Sequence, residues 1–404
     1  YGSQDAVEAV MHGFIGNAVY IATPENKDRM FSNLLERFRR GLENTDADDL
    51  RPYYVSQADG ESGCADAFRP HYPENDNFFP EYYVIPMAPG AQANRAAASE
   101  MVEYLLRNCV RVSQLPSDMT LPANEFRGEK AYHAGDIVVE MRQAKRNMAN
   151  AALYPNLALD DWSGLYSEPV TNFPDFRGFT VDIITTPDAF ASAGLKDVTE
   201  APKVESIVSG EGSVAVIAND TVYAVRAVNA LLDSEKKVGL ILEGDRKGDF
   251  VCAATDIDAI KGEHVIDALL TDDVPVAKLI KNGIKVHVPG DSGEFMTDDD
   301  GKPFGVKNYK NLRSTAYNWD KFALTEQLGF TLAATADEAD VFVGCKSLNE
   351  DEAAAVKAGK PYVGHGAGAM AGCKDAGLDI EFADEGSDYD ALTTIEFADE
   401  SVIT

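Results

Sequence analysis

From about residue 206 the chain alternates short apolar runs with helix-length segments, and this alternation restricts the fold more than any other feature. "SVAVIA" (213–218) is followed by a helical pattern over 220–233, then by "KVGLILE" (237–243) and "DFVCAA" (249–254). Later come "IKVHV" (284–288), a helical pattern over 318–328, "DVFVG" (340–344), a helical pattern over 349–358 and "PYVG" (361–364). Short apolar strands interleaved with helices predict a mostly parallel sheet covered on both faces. The expected fold class is therefore α/β, with a hairpin turn at "TDDDGKPFG" (297–305).

The preceding region, 51–202, reads as a smaller α/β unit. Strands are expected at "YYVIPM" (82–87), "VRVSQL" (110–115) and "GDIVVEM" (135–141), and helices at 95–109 and 142–153. Residues 187–205 carry Pro187, Gly194 and Pro202 and are expected to be a linker. Residues 1–50 read as helical. Thr23-Pro24 supplies an N-cap and a first-turn proline; Met30, Phe31, Leu34, Leu35 and Phe38 form one apolar stripe; and Gly41 is the expected stop. Little in this segment could receive that stripe, so it is expected to lie exposed or to pair with a copy of itself.

Charge narrows the function. Lys and Arg total 36 against 67 Asp and Glu, a formal net charge of −31. Such a surface repels nucleic-acid phosphates and anionic headgroups, so neither nucleic acid nor a membrane surface is an expected partner. No apolar run reaches the ~18 residues of a spanning helix. The five cysteines, Cys64, Cys109, Cys252, Cys345 and Cys373, include no C-x-x-C pair, which argues against a disulfide framework and a structural zinc site.

The most suggestive short stretch is "GKPYVGHGAGAM" (359–370). Gly364, His365, Gly366, Ala367 and Gly368 have the spacing of a nucleophile elbow after a strand, but Gly366 stands where the nucleophile belongs. The same glycines, with Ala369 and Asp384, partly fit a dinucleotide fingerprint that comes unusually late in its domain. Cys345, which ends another predicted strand, and Cys373 are the candidate thiols, reactive only if their surroundings lower the pKa. His365 could bind a ligand or simply satisfy the turn. His71 and Glu74, in "HYPE", are the candidate metal ligands by the H-x-x-E pattern. Pro73 inside the pair, and no evident third ligand, favour a surface loop. "GDSG" (290–293) resembles a serine-peptidase loop but lacks triad partners. "DDDGK" has Lys307 where a calcium loop needs its last Glu.

Several stretches together resemble a known family. "FFPEYYVIPM", "MVEYLLRN", "YHAGDIVVEMRQAKRNMANAALYP" and "NFPDFRGF" are similar to the region following the catalytic domain in large bacterial zinc carboxypeptidases related to carboxypeptidase A. "ENKDRMFSNLLERFRRG" resembles the end of that catalytic domain, and the C-terminal half resembles an appended class I glutamine amidotransferase-like domain. The resemblance implies a helical tail of the peptidase domain over 1–50, a small α/β unit with linker over 51–202, and a flavodoxin-like, amidotransferase-like parallel-sheet domain over 203–404. It places the zinc ligands and catalytic Glu ahead of Tyr1, so zinc is expected upstream and no cofactor in this chain. It implies an extracellular or cell-surface setting, a peptide substrate for the parent enzyme, and the upstream catalytic domain as partner. An active amidotransferase would carry Cys at Gly366 and a later His, and neither is present. The expected function is an accessory, non-catalytic portion of a zinc metallocarboxypeptidase; the alternatives are a ligand-binding module or a cysteine-dependent hydrolase.

Overall fold

A computed structural model describes residues 4–45, 72–124, 127–154, 173–289, 295–297, 303–306, 320–345 and 347–378. The chain divides into two compact units, one up to Val204 and one from Glu205.

The first unit opens with two successive helices, α1 (Gln4–Ala22) and α2 (Pro24–Glu43). Thr23 breaks them apart because a residue before proline is pushed out of the helical region, here to φ −60°, ψ 144°. Its side chain does not cap α2 as expected; the hydroxyl donates to the Tyr20 carbonyl at 2.8 Å. Nor does Gly41 stop α2. The helix ends at Glu43 with Asn44 left-handed (φ 49°), and Gly41 lies inside it, where a Cβ would sit 2.5 Å from the Gln143 carbonyl oxygen. Glycine is needed there for close approach rather than for a turn.

Asn44 fixes this end of α2. It is buried and donates to the Pro80 carbonyl (3.1 Å) and to Glu81 (3.3 Å), while its side-chain oxygen accepts from Arg146 (3.1 Å). Arg146, also buried, donates to the Thr45 carbonyl (2.9 Å) and stacks over the Phe79 ring at 4.2 Å. Buried polar groups persist when their bonds are made, and here they are. The rest of both helices is open: Phe14 is 71% exposed and Leu35 66%, so the apolar stripe of α2 does lie exposed.

The body of this unit is an antiparallel sheet. β1 (Tyr82–Ile85) pairs with β5 (Ile137–Glu140) and β6 (Asp182–Ile184); β2 (Val112–Gln114) pairs with β5 and β7 (Lys196–Val198). The hairpin β3 (Met119–Leu121) with β4 (Lys130–Tyr132) stands beside it. Helix α3 (Arg95–Arg107) buries Ala97, Met101, Val102 and Leu105 at helical spacing, starting from the Asn94 cap, which accepts from the Ala97 amide. Helix α4 (Arg146–Leu153) supplies Asn150, which accepts from the hydroxyl of fully buried Tyr83 at 2.8 Å. A third, short helix, α5, spans Phe173–Arg177. The stretch 187–205, expected as a linker, contributes edge strand β7 and the buried Phe190, whose ring packs on Tyr82 and Tyr132.

The second unit corrects the expectation of one mostly parallel sheet. Its six strands β8 (Ile207–Gly210), β9 (Val214–Ile217), β10 (Gly239–Ile241), β11 (Phe250–Ala253), β12 (Asp267–Thr271) and β13 (Ala277–Leu279) lie in the order β13-β10-β11-β9-β12-β8. Only β8 and β12 pair in parallel. The reason is loop length. A parallel crossover needs about a dozen residues or more, whereas β10 runs into β11 through a short turn with Gly244 and Gly248 at φ +80° and +94°. β11 therefore inserts, antiparallel, between β9 and β10. Helix α6 (Val222–Asp233), capped by Thr221, covers this sheet with Ala227, Val228 and Leu231.

A separate four-stranded sheet follows in the order β17-β14-β18-β19, entirely parallel: β14 (Lys285–His287), β17 (Thr331–Leu332), β18 (Val341–Gly344) and β19 (Tyr362–Gly364). The expected hairpin is present as β15 (Phe295–Thr297) with β16 (Pro303–Val306). A helical stretch that includes Asp320 and continues as a π-turn (Ala323–Gln327) precedes β17. Helices α7 (Glu350–Lys357) and α8 (Gly366–Asp375) follow β18 and β19. Asn229 of α6 donates to the Leu328 carbonyl at 2.7 Å, joining the two layers. The protein is thus mixed α/β with one parallel sheet. Among the described residues, no helix is long and apolar enough to cross a membrane.

Candidate functional site

In a parallel sheet every strand delivers its C-terminal end to the same edge, where open α/β sheets place ligands. At this edge Cys345 follows β18 and His365 follows β19, and Asp320 lies in the helical stretch that leads to β17. One donor atom from each of the three lies within 4.8 Å of the other two, and among the described residues no other three His, Cys, Asp or Glu converge this way.

Local sequence explains the placement. Gly344 sits close to the Asp320 carboxylate: a Cβ there would lie 3.2 Å from Pro289 Cδ and 3.4 Å from Asp320 Oδ2, the latter an ordinary contact. The Cys345 amide donates to that oxygen at 3.1 Å, and His365 Nε2 lies 2.9 Å from Oδ1. The Asp320 side chain is only 14% exposed, whereas that of His365 is 59% exposed. Asp320 is thus the fixed member and His365 the open one. The His365 amide donates to the Gly344 carbonyl at 3.2 Å, tying the turn to β18.

The elbow-like stretch now has a physical account. A Cβ at Gly364 would come within 2.6 Å of Ala369 Cβ and 2.9 Å of the Tyr362 hydroxyl, so no larger residue fits beneath α8. Gly366 is left-handed (φ +71°), and a Cβ built there would lie 4.0 Å from Cys345 Cβ. The position that lacks a nucleophile therefore lies beside Cys345 of the neighbouring strand. Gly366, Ala367 and Gly368 form the first turn of α8. Cys373, farther along α8, lies with Cys345 near Tyr362, whose hydroxyl is pushed up to about 12 by burial and by these neighbours. Cys252 is buried under α6, and burial pushes its thiol up to about 11, which leaves it inert near neutral pH.

Beside the cluster, His287 at the end of β14 lies 2.7 Å (Nε2 to Oε1) from Glu352, which is buried and closes a reciprocal capping box with Asn349 at the start of α7. The pair fixes α7 against the sheet. Glu352 carries the capping-box spacing Asn349-x-x-Glu352, which signals a helix start and no site; Asp320 carries no site signal, and only the fold brings it to the edge.

Of the H-x-x-E pair, only Glu74 is among the described residues. Glu74 accepts hydrogen bonds from Asn124, Thr185 and Thr186, the last at 2.6 Å, and acts as a loop clamp; His71 lies outside the described residues. The "GDSG" and "DDDGK" stretches and Asp384 lie outside them too.

Chemically, a thiol, an imidazole and a carboxylate at one open edge can bind a metal ion or assist a nucleophilic thiol. Comparison with protein-family profiles, with curated proteins and with solved structures finds no match to this chain.

Proposed function

We propose that this chain is the accessory, non-catalytic portion of a zinc metallocarboxypeptidase, with α1 and α2 belonging to the wall of the peptidase domain and the C-terminal unit derived from a class I amidotransferase-like, flavodoxin-like scaffold. The observation that carries the reading is the state of α2. Its C-terminal end is locked by Asn44 and Arg146, while Met30, Phe31, Leu34 and Leu35 remain exposed beside the equally exposed Val10, Phe14 and Ile15 of α1. A contiguous apolar face of this kind on ordered helices marks a surface that another body covers, and the sequence resemblance supplies that body: the preceding catalytic domain. The parallel order of β14, β18 and β19, with a strand-turn-helix at 364–368 and no nucleophile at Gly366, supports the depleted amidotransferase-like reading.

The test has two parts. The purified chain, supplied with zinc, is expected to release no C-terminal amino acid from peptides; chelator-sensitive release would overturn the reading. Joined behind a metallocarboxypeptidase catalytic domain, the chain is expected to show slowed amide exchange in α1 and α2. Unchanged exchange, or equal slowing by self-association of the chain alone, would count against it.

A further inference from the structure

We propose that Asp320, Cys345 and His365 form a binding site for one divalent transition-metal ion of the zinc class. The argument starts from how three such groups can be arranged. In a nucleophile relay the imidazole stands between the other two, so the thiol and the carboxylate take opposite edges of the ring and are the farthest-separated pair. Here the sulfur and a carboxylate oxygen lie within 4.8 Å of each other, too close for an imidazole ring to stand between them. The three donors surround a point rather than forming a line. Zinc bonded to sulfur at ~2.3 Å and to nitrogen and oxygen at ~2.0–2.2 Å would need donor separations of roughly 3.5 Å, inside the 4.8 Å limit, with the His365–Asp320 pair opening from 2.9 Å.

The donor set selects the ion. Thiolate and imidazole favour zinc, cobalt and their neighbours over magnesium or calcium, which prefer all-oxygen shells. The site is partly preorganised, since Asp320 is already held by the Cys345 amide. Gly366 adds no side chain beside Cys345, where a Cβ would lie 4.0 Å from Cys345 Cβ. On binding, the thiol proton leaves to solvent. The neutral imidazole presents its Nε2 lone pair with its proton on Nδ1, and the Asp320 carboxylate bonds to the metal in place of the hydrogen bond at 2.9 Å. Three protein ligands, with exposed His365 on the solvent side, leave the fourth position to water or to a small anionic ligand.

Cobalt(II) is the probe. Titrated into the reduced full chain, it is expected to bind with a thiolate-to-cobalt charge-transfer absorption that zinc abolishes. Cys345→Ser should remove the band while leaving the circular dichroism spectrum and urea midpoint unchanged, and Cys373→Ser should keep it. His365→Ala should weaken binding by more than the roughly 10–100-fold lost when only an outer-shell partner is removed. Zinc should also slow alkylation of Cys345 by iodoacetamide. Absence of the band, a band that survives Cys345→Ser, or alkylation that zinc does not slow would overturn the proposal, the last pointing instead to a nucleophilic thiol. The site stands independently of the peptidase reading: peptide release by the chain would overturn that reading and leave the cobalt spectrum to decide this one.

Discussion

Two polar clusters in this molecule are built from residues far apart in sequence, and they differ in a way that separates scaffold from site. Around Asn44 and Arg146 the side chains are buried and their hydrogen bonds are spent on backbone carbonyls and each other. Around Asp320, Cys345 and His365 one member is held and another is open to water. The first cluster has nothing left to offer a ligand, and its removal strands buried groups. The second can exchange partners at little cost to the fold.

Substitutions can break or sharpen this contrast. Arg146→Ala should have the largest effect, about 3 kcal/mol lost from the first unit in urea unfolding, because Asn44 Oδ1 and the Thr45 carbonyl lose their donor. A loss under ~0.5 kcal/mol would show that the anchor is solvated after all. Gly41→Ala should cost about 1–3 kcal/mol, since the new Cβ meets the Gln143 carbonyl oxygen, and it should raise proteolytic cutting near Asn44. His365→Ala should change the urea midpoint by no more than ~0.5 kcal/mol. A large loss there would make the carboxyl-edge cluster scaffold, and the contrast would fail.

The smallest effect concerns pH. Burial, then Arg226, holds His264 below its ordinary pKa of 6.5 in the folded protein. The unfolded chain therefore takes up the proton first as pH falls, and stability must decline from about pH 6.5 down to the folded pKa. Denaturant midpoints at pH 7.5 and 5.5 should show the decline, and His264→Asn should flatten it.

How much of this was legible in sequence depended on how far apart the determinants lay. The stripe of α2, the strand at 82–85 and helix α3 were readable because periodicity and the flanking residues act locally. Of the strands in 206–280, β9, β10 and β11 were readable, whereas β8, β12 and β13 were not; nor were directions, because pairing is decided by loop lengths and by which strand inserts, as β11 does between β9 and β10. Cys345 and His365 were visible as candidates, the first as a strand-ending thiol and the second as a neighbour of an empty elbow. Asp320 was not, because an aspartate at a helix start ordinarily signals only a cap. The significance of all three comes from a shared sheet edge, which no local pattern encodes.

The lock at Asn44 has a mechanical consequence. α2 is twenty residues long, so it reaches about 30 Å from the joint that fixes it. It is a lever with its fulcrum at one end, and a tilt of about 5° there would displace the far tip by roughly 2.5 Å at that reach. Whatever rests on the helix is thus aimed by a handful of hydrogen bonds at its base.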